Sequence, residues 1–91
     1  MDWIDSAHAD VLLQAGQQLR AIRKHRKLSQ KAAAELAGIS RMTVSKIERG
    51  QSLSFDTLVR LLRAYGLLNR LNDLLAVPEK SPMEKLLDNG A

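Results

Sequence analysis

The sequence predicts an all-α protein of five helices followed by a short sixth. Three observations carry that expectation. Apolar residues recur at three- and four-residue intervals in successive windows, the period of an amphipathic helix. Serines able to cap a helix stand at 29, 40, 54 and 81. Glycines able to end one stand at 38, 50 and 66.

Ninety-one residues allow one domain with a modest core. The domain is expected over residues 1–77, with a linker and a short partner-binding tail over 78–91. There is no cysteine, which leaves no disulfide, thiolate metal site or cysteine nucleophile. Three acids in the first ten residues argue against a signal peptide, and no apolar run is long enough to span a bilayer. A cytoplasmic protein is expected.

The formal net charge of +4 is unevenly spread. Residues 1–16 carry three Asp and no Lys or Arg, residues 17–50 carry nine Lys/Arg against Glu35 and Glu48, and residues 51–91 carry five of each sign. A positive field on one segment is the footprint of nucleic-acid binding, although a charge run is also commonly a solvated face.

At the N-terminus, Trp3 and Ile4 either fold back on the core or meet a second subunit or partner. The first helix is expected from about Asp10 to Arg26, with Leu12, Ala15, Leu19 and Ile22 as its stripe and Gly16 as a slight weakness. It ends in the run Arg23 to Lys27, RKHRK. Those cations suit the negative end of the helix dipole and can also meet phosphate.

The second helix runs from about Ser29 to Ala37, with Ala33, Ala34 and Ala37 inward and Gly38 in the left-handed conformation that ends it. Gln30 lies in the first turn, where free N–H groups favour a phosphate. Ser40 caps a third helix over Arg41 to Arg49, with Val44 and Ile47 on its inner face. Arg41, Met42, Ser45, Lys46 and Arg49 lie on the other. Two short helices joined by a Gly-containing turn fit a helix-turn-helix, whose second helix enters the DNA major groove, but they also fit a tight hairpin of any small bundle.

The residues themselves narrow this. LSQKAAAELAGISRMTVSKIERG resembles the helix-turn-helix of the lambda repressor/Cro family (Xre-type regulators). The matching positions are Ser29, Gln30, Ala34, Gly38, Ile39, Ser40, Thr43, Val44, Ser45, Ile47, Glu48, Arg49 and Gly50. The full resemblance covers residues 17–66 and implies a lambda-repressor-like DNA-binding domain. It implies that Arg23 pairs with Glu48, tethering the first helix to the reader, and that Gln30 touches the DNA backbone and braces that helix. The family usually has leucine where this chain has Ala33, and Leu36 is the residue expected to shift the apolar face and compensate.

On the reader, Arg41 can offer a bidentate guanidinium to guanine O6 and N7. Met42 can touch only a thymine methyl, while Thr43 and Ser45 can reach phosphate or a base edge. Lys46 stays on the groove face, one turn on from Met42. Base contacts are thus expected from Arg41, Met42, Thr43, Ser45 and Lys46, and positioning contacts from Gln30, Ser40, Arg49 and Lys27.

Ser54 caps a fourth helix from Phe55 to Tyr65, with Phe55, Leu58, Leu61, Leu62 and Tyr65 as its core stripe. Leu67, Leu68, Leu71, Leu74 and Leu75 then form a wide apolar face on a fifth. That face either pairs two subunits around a two-fold axis, the favoured reading, or closes the monomer's core. After Pro78, Ser81, Pro82 and Glu84 make a capping box, and Met83, Leu86 and Leu87 give the short helix an apolar edge for a partner.

His8 and His25 are the only histidines, and no hydrolase, phosphate-loop or zinc-protease motif is present. No enzyme, cofactor or metal is expected. The resulting expectation is a homodimeric repressor of a palindromic operator. Length, the Leu-rich helix and the tail resemble antitoxin-regulators paired with HipA-like kinase toxins, a free-standing Xre-type repressor or a protein-interaction adaptor being the alternatives.

Overall fold

The computed structural model describes residues 7–77. The five expected helices are present: α1 His8–His25, α2 Gln30–Ala37, α3 Arg41–Glu48, α4 Phe55–Ala64 and α5 Leu68–Leu75. Trp3, Ile4 and the whole 78–91 tail with Met83, Leu86 and Leu87 lie outside the described residues. α1 begins two residues before the expected start. No described helix is long and apolar enough to cross a membrane.

The starts of the middle helices are set by serine hydroxyls. Ser29, Ser40 and Ser54 each accept a hydrogen bond at 3.0 Å from a backbone N–H three residues on, at Ala32, Thr43 and Thr57. Each satisfies one of the donors a helix start leaves unpaired. The ends of α1 to α4 share one device, a residue with positive φ whose successor donates back to a carbonyl five residues earlier. At α2, Gly38 has φ 70° and Ile39 donates to the Ala34 carbonyl at 3.0 Å. At α1 the left-handed residue is Lys27, φ 58°, with no glycine to announce it.

α3 packs on α1 and α2, and α4 packs on α2 and α5. Leu19, Ala33, Ala34, Ala37, Val44, Ile47, Leu61 and Tyr65 form the core, with Ile22, Leu28, Ile39, Leu53, Ala64 and Leu67 packed around it. The three alanines bring the backbone of α2 close to its neighbours. Leu36 takes no part: it is 63% exposed. It sits roughly 100° around the helix from the alanine face, too far to replace a core leucine. Phe55 is likewise 61% exposed, although its spacing places it on the core stripe of α4. It is the first residue of that helix. Because helical Cβ atoms tilt toward the N-terminus, its ring leans off the helix start.

A buried polar knot ties α1, α2 and α3 together. Arg23 of α1 donates from Nε to Glu48 Oε2 at 2.7 Å and from Nη2 to Oε1 at 3.0 Å, and both residues are buried. Its Nη1 donates to the Leu28 carbonyl at 2.8 Å, and Gln30 Nε2 donates to Glu48 Oε1 at 3.2 Å. The hydrogen bond to Glu48 raises the Arg23 pKa against the opposing effect of burial. Tyr65, just past the end of α4, is the largest fully buried side chain among the described residues. Burial pushes its phenol up to about 12; the Glu48 charge adds to that shift and Arg23 opposes it.

The core reading is tested by two apolar truncations on one helix. Leu61→Ala should cost about 2–5 kcal/mol, whereas Phe55→Ala should stay within about 0.5 kcal/mol. Urea denaturation measures both, and equal losses would return Phe55 to the core. Tyr65 sets an alkaline limit. Its folded pKa of about 12 lies above the ordinary 10.0, so the native state holds the proton more tightly than the unfolded chain. This contribution is complete below about pH 10 and is lost as pH rises towards 12. Across that window wild-type stability should fall more steeply than that of Tyr65→Phe, and parallel curves would refute the coupling.

Candidate nucleic-acid interface

The turn between α2 and α3 is only Gly38, Ile39 and Ser40. Ile39 packs against the core, and Ser40 starts α3 at once. Two eight-residue helices are thereby set at a fixed angle with little freedom between them. Neither is long enough to be stable alone in water, so tertiary contacts decide where α3 sits.

The inner face of α3 carries Val44, Ile47 and Glu48, all buried. The outer face carries Arg41, Met42 and Lys46, and Arg49 stands just past the helix, which ends at Glu48, one residue before the expected end; all four are exposed. Arg41, Met42, Ser45 and Arg49 line one open groove of about 430 Å³. Lys46 stands outside the lining of that groove. Met42 is 65% exposed, an apolar side chain amid cations and hydroxyls. Arg49 Nε donates to the Ser45 carbonyl at 3.3 Å, which lays this arginine back along its own helix.

Ser40 and Thr43 are partly committed elsewhere. Their hydroxyls share a hydrogen bond of 2.8 Å, and Ser40 also accepts from the Thr43 N–H at 3.0 Å. Ser40 remains exposed, Thr43 and Ser45 half-buried. Gln30, half-buried at the start of α2, gives one amide hydrogen to Glu48 and keeps a second. Exposed Lys27 follows the end of α1.

Electrostatically, the described residues contain two ion pairs, Arg23–Glu48 and the exposed Arg60–Asp56. Arg41, Lys46, Arg49 and Lys27 belong to neither, so their charge is directed to solvent. Arg23, by contrast, is spent inside the fold. No group of His, Asp and Glu able to hold a metal ion occurs among the described residues.

The leucines of α5 differ among themselves. Leu67 precedes the helix and packs on the core, and Leu71 is half-buried. Leu68 is 37%, Leu75 61% and Leu74 77% exposed.

One close approach was missed by sequence reasoning, at Gly16. It is buried beneath the end of α3, where a Cβ would collide with the Ile47 carbonyl oxygen. Its only signal in the sequence is a glycine inside an otherwise regular helix, which can mark a close backbone approach.

Comparison with known proteins agrees with this architecture. Residues 19–68, more than half of the chain, match the family described as Helix-turn-helix. The chain is 37% identical over 82 residues to the HTH-type transcriptional regulator PuuR of Escherichia coli K12 and equally to that of Shigella flexneri. Those alignments take in 89% of this chain and 43% of either relative, so the chain spans less than half the length of the curated relatives it matches. Among solved structures, the restriction-modification controller protein C.AhdI from Aeromonas hydrophila is similar with a TM-score of 0.64 and 34% identity. That likeness covers 67% of this chain and 94% of the controller. With its all-α, lambda-repressor-like arrangement, the chain belongs to the helix-turn-helix family of transcriptional regulators.

Proposed function

We propose that the protein is a free-standing, sequence-specific DNA-binding transcriptional repressor that acts as a two-fold dimer. One observation carries this reading. The inner face of α3 is locked by Val44, Ile47 and the Glu48 knot, while its outer face presents cations in no ion pair among the described residues around an open groove. A helix held rigidly and charged outward is suited to a major groove lined by phosphates. Arg41 and Lys46 supply polar base contacts, Met42 an apolar contact to a thymine methyl, and Thr43 and Ser45 hydroxyls to base edge or phosphate. Gln30, Ser40, Arg49 and Lys27 position the helix on the backbone. An adaptor has no need of this charge distribution.

The narrower antitoxin reading, capture of a HipA-like kinase, depends on tail residues outside those described. The similar proteins are a transcriptional regulator and a restriction-modification controller, which supports the free-standing reading. Steric exclusion of polymerase is the simplest mechanism for such a module.

Dimerisation through α5 gives the two readers a fixed separation. Leu68, Leu74 and Leu75 leave apolar area in water that a second copy can cover. Two-fold pairing then calls for half-sites about 34 Å apart, one turn of DNA.

Two measurements test these readings. Arg41→Ala should cost about 1–3 kcal/mol on the operator and relax preference at one base pair, while Gln30→Ala should weaken binding to all sequences alike. Quantitative competition between operator and random duplex distinguishes them, and equal loss on both duplexes for Arg41→Ala would remove it from base reading. Replacing Leu71 and Leu75 by Asp should bury unpaired charges in a paired interface and yield folded monomers. If sedimentation still finds a folded dimer, the interface lies elsewhere.

A further inference from the structure

We infer that Gly16 is a positioning residue for DNA reading, because it lets α1 lie directly against the backbone of the last turn of α3 and so fixes the tilt of the reader. The inference rests on the DNA-reading role proposed above. In α1, alanine would be the better helix former at this position, so local propensity does not account for the glycine. Its surroundings do. A Cβ on Gly16 would overlap the Ile47 carbonyl oxygen and lie 3.1 Å from the carbonyl carbon and oxygen of Glu48. These are backbone atoms of a helix, which cannot swing aside as the end of a long side chain can.

Two further contacts lie along the same side of α1. Arg23, two turns beyond Gly16, holds the carboxylate of Glu48. Glu48 is thus held by α1 at its backbone and at its side chain. In the other direction, Gly50 just past α3 has φ 99°, and a Cβ there would stand 3.1 Å from the Leu13 Cα. Leu13, Gly16 and Arg23 therefore register the end of α3 against α1 over about three helical turns. The start of α3 is registered separately, through the short turn from α2 and the Ser40 cap. Pushing α1 away at Gly16 tilts α3 about its start. Ser45, Lys46 and Arg49 then move farthest from their places in the groove.

The test uses the full chain and a duplex selected by the wild-type protein from a random library, with an unselected duplex as reference. Gly16→Ala should remain folded by circular dichroism. Its preference for the selected over the unselected duplex should fall roughly 5- to 150-fold, the worth of a bidentate base contact. Affinity for the unselected duplex should fall far less than the preference, and its salt dependence by no more than the single phosphate contact of Arg49, since the other phosphate contacts lie outside the tilted end. Leu62→Ala on α4 serves as a control that lowers stability and should keep the wild-type preference. A folded Gly16→Ala protein with wild-type preference overturns the inference. If Gly16→Ala does not fold, NMR of the wild-type chain on the selected duplex reads the contact instead: NOEs from the Gly16 Hα protons to Ile47 and Glu48 support it, and their absence in that complex overturns it. Failure of the wild-type protein to select any sequence would instead defeat the DNA-reading proposal itself.

Discussion

The Arg23–Glu48 pair is the constraint on which the placement of α3 depends. Each middle helix has two turns and little stability of its own, so the reader's orientation must be imposed from outside. A guanidinium meeting a carboxylate through two parallel hydrogen bonds admits one relative geometry, and here that geometry spans 25 residues of sequence. Such a pair adds little net stability over an apolar pair of the same shape, because both charges lose water. Removing one partner is another matter. It strands the other charge beneath the reader, and breaking a buried pair typically costs about 3–5 kcal/mol. The third guanidinium nitrogen and the Gln30 amide extend the constraint to the start of α2. The knot works mainly by excluding other placements.

Around it, the packing relies on small residues. Ala33, Ala34 and Ala37 on α2, and Gly16 on α1, remove side-chain volume where helices cross. Close backbone approach then does what interdigitating leucines do in larger bundles, and leaves few large side chains fully buried: Tyr65, Leu61 and Val44. Stability is consequently concentrated in a few positions, among them Leu61 on α4 and Tyr65 just past its end. The reader's own apolar contribution is Val44 and Ile47.

What was legible in the sequence follows from the range of the physics involved. Caps at Ser29, Ser40 and Ser54 and the stop at Gly38 are local hydrogen-bond arrangements, and the residue types announce them. The division of α3 into inner and outer faces follows from helical periodicity alone. Phe55 and Leu36 were misplaced because periodicity says which side of a helix is apolar, not where the core ends along it. Lys27 in the left-handed region was hidden because that conformation is imposed by the way α1 meets α2, not by the residue. Within α1 alone, Gly16 is a slight weakness. Its meaning lies in the carbonyl of Ile47, thirty-one positions away, and no local rule carries that distance.

One segment is both strongly basic and well folded. Residues 17–50 hold nine Lys/Arg and two Glu. Of the two acids, Glu48 is committed to Arg23, and Glu35 is exposed and in no ion pair among the described residues. The remaining cations are thus not neutralised locally, and at low ionic strength they repel one another. The fold limits the cost by keeping them in water and at helix surfaces, while the apolar contacts that hold the segment together lie on the opposite faces. The uncompensated charge is therefore tolerated by the architecture and plays no part in building it. Charge can then be varied on the outer face of α3 with small effects on stability, whereas Arg23 and Glu48, alike in chemistry to the surface residues, cannot be varied singly. Position relative to the knot, and not residue type, separates the two classes.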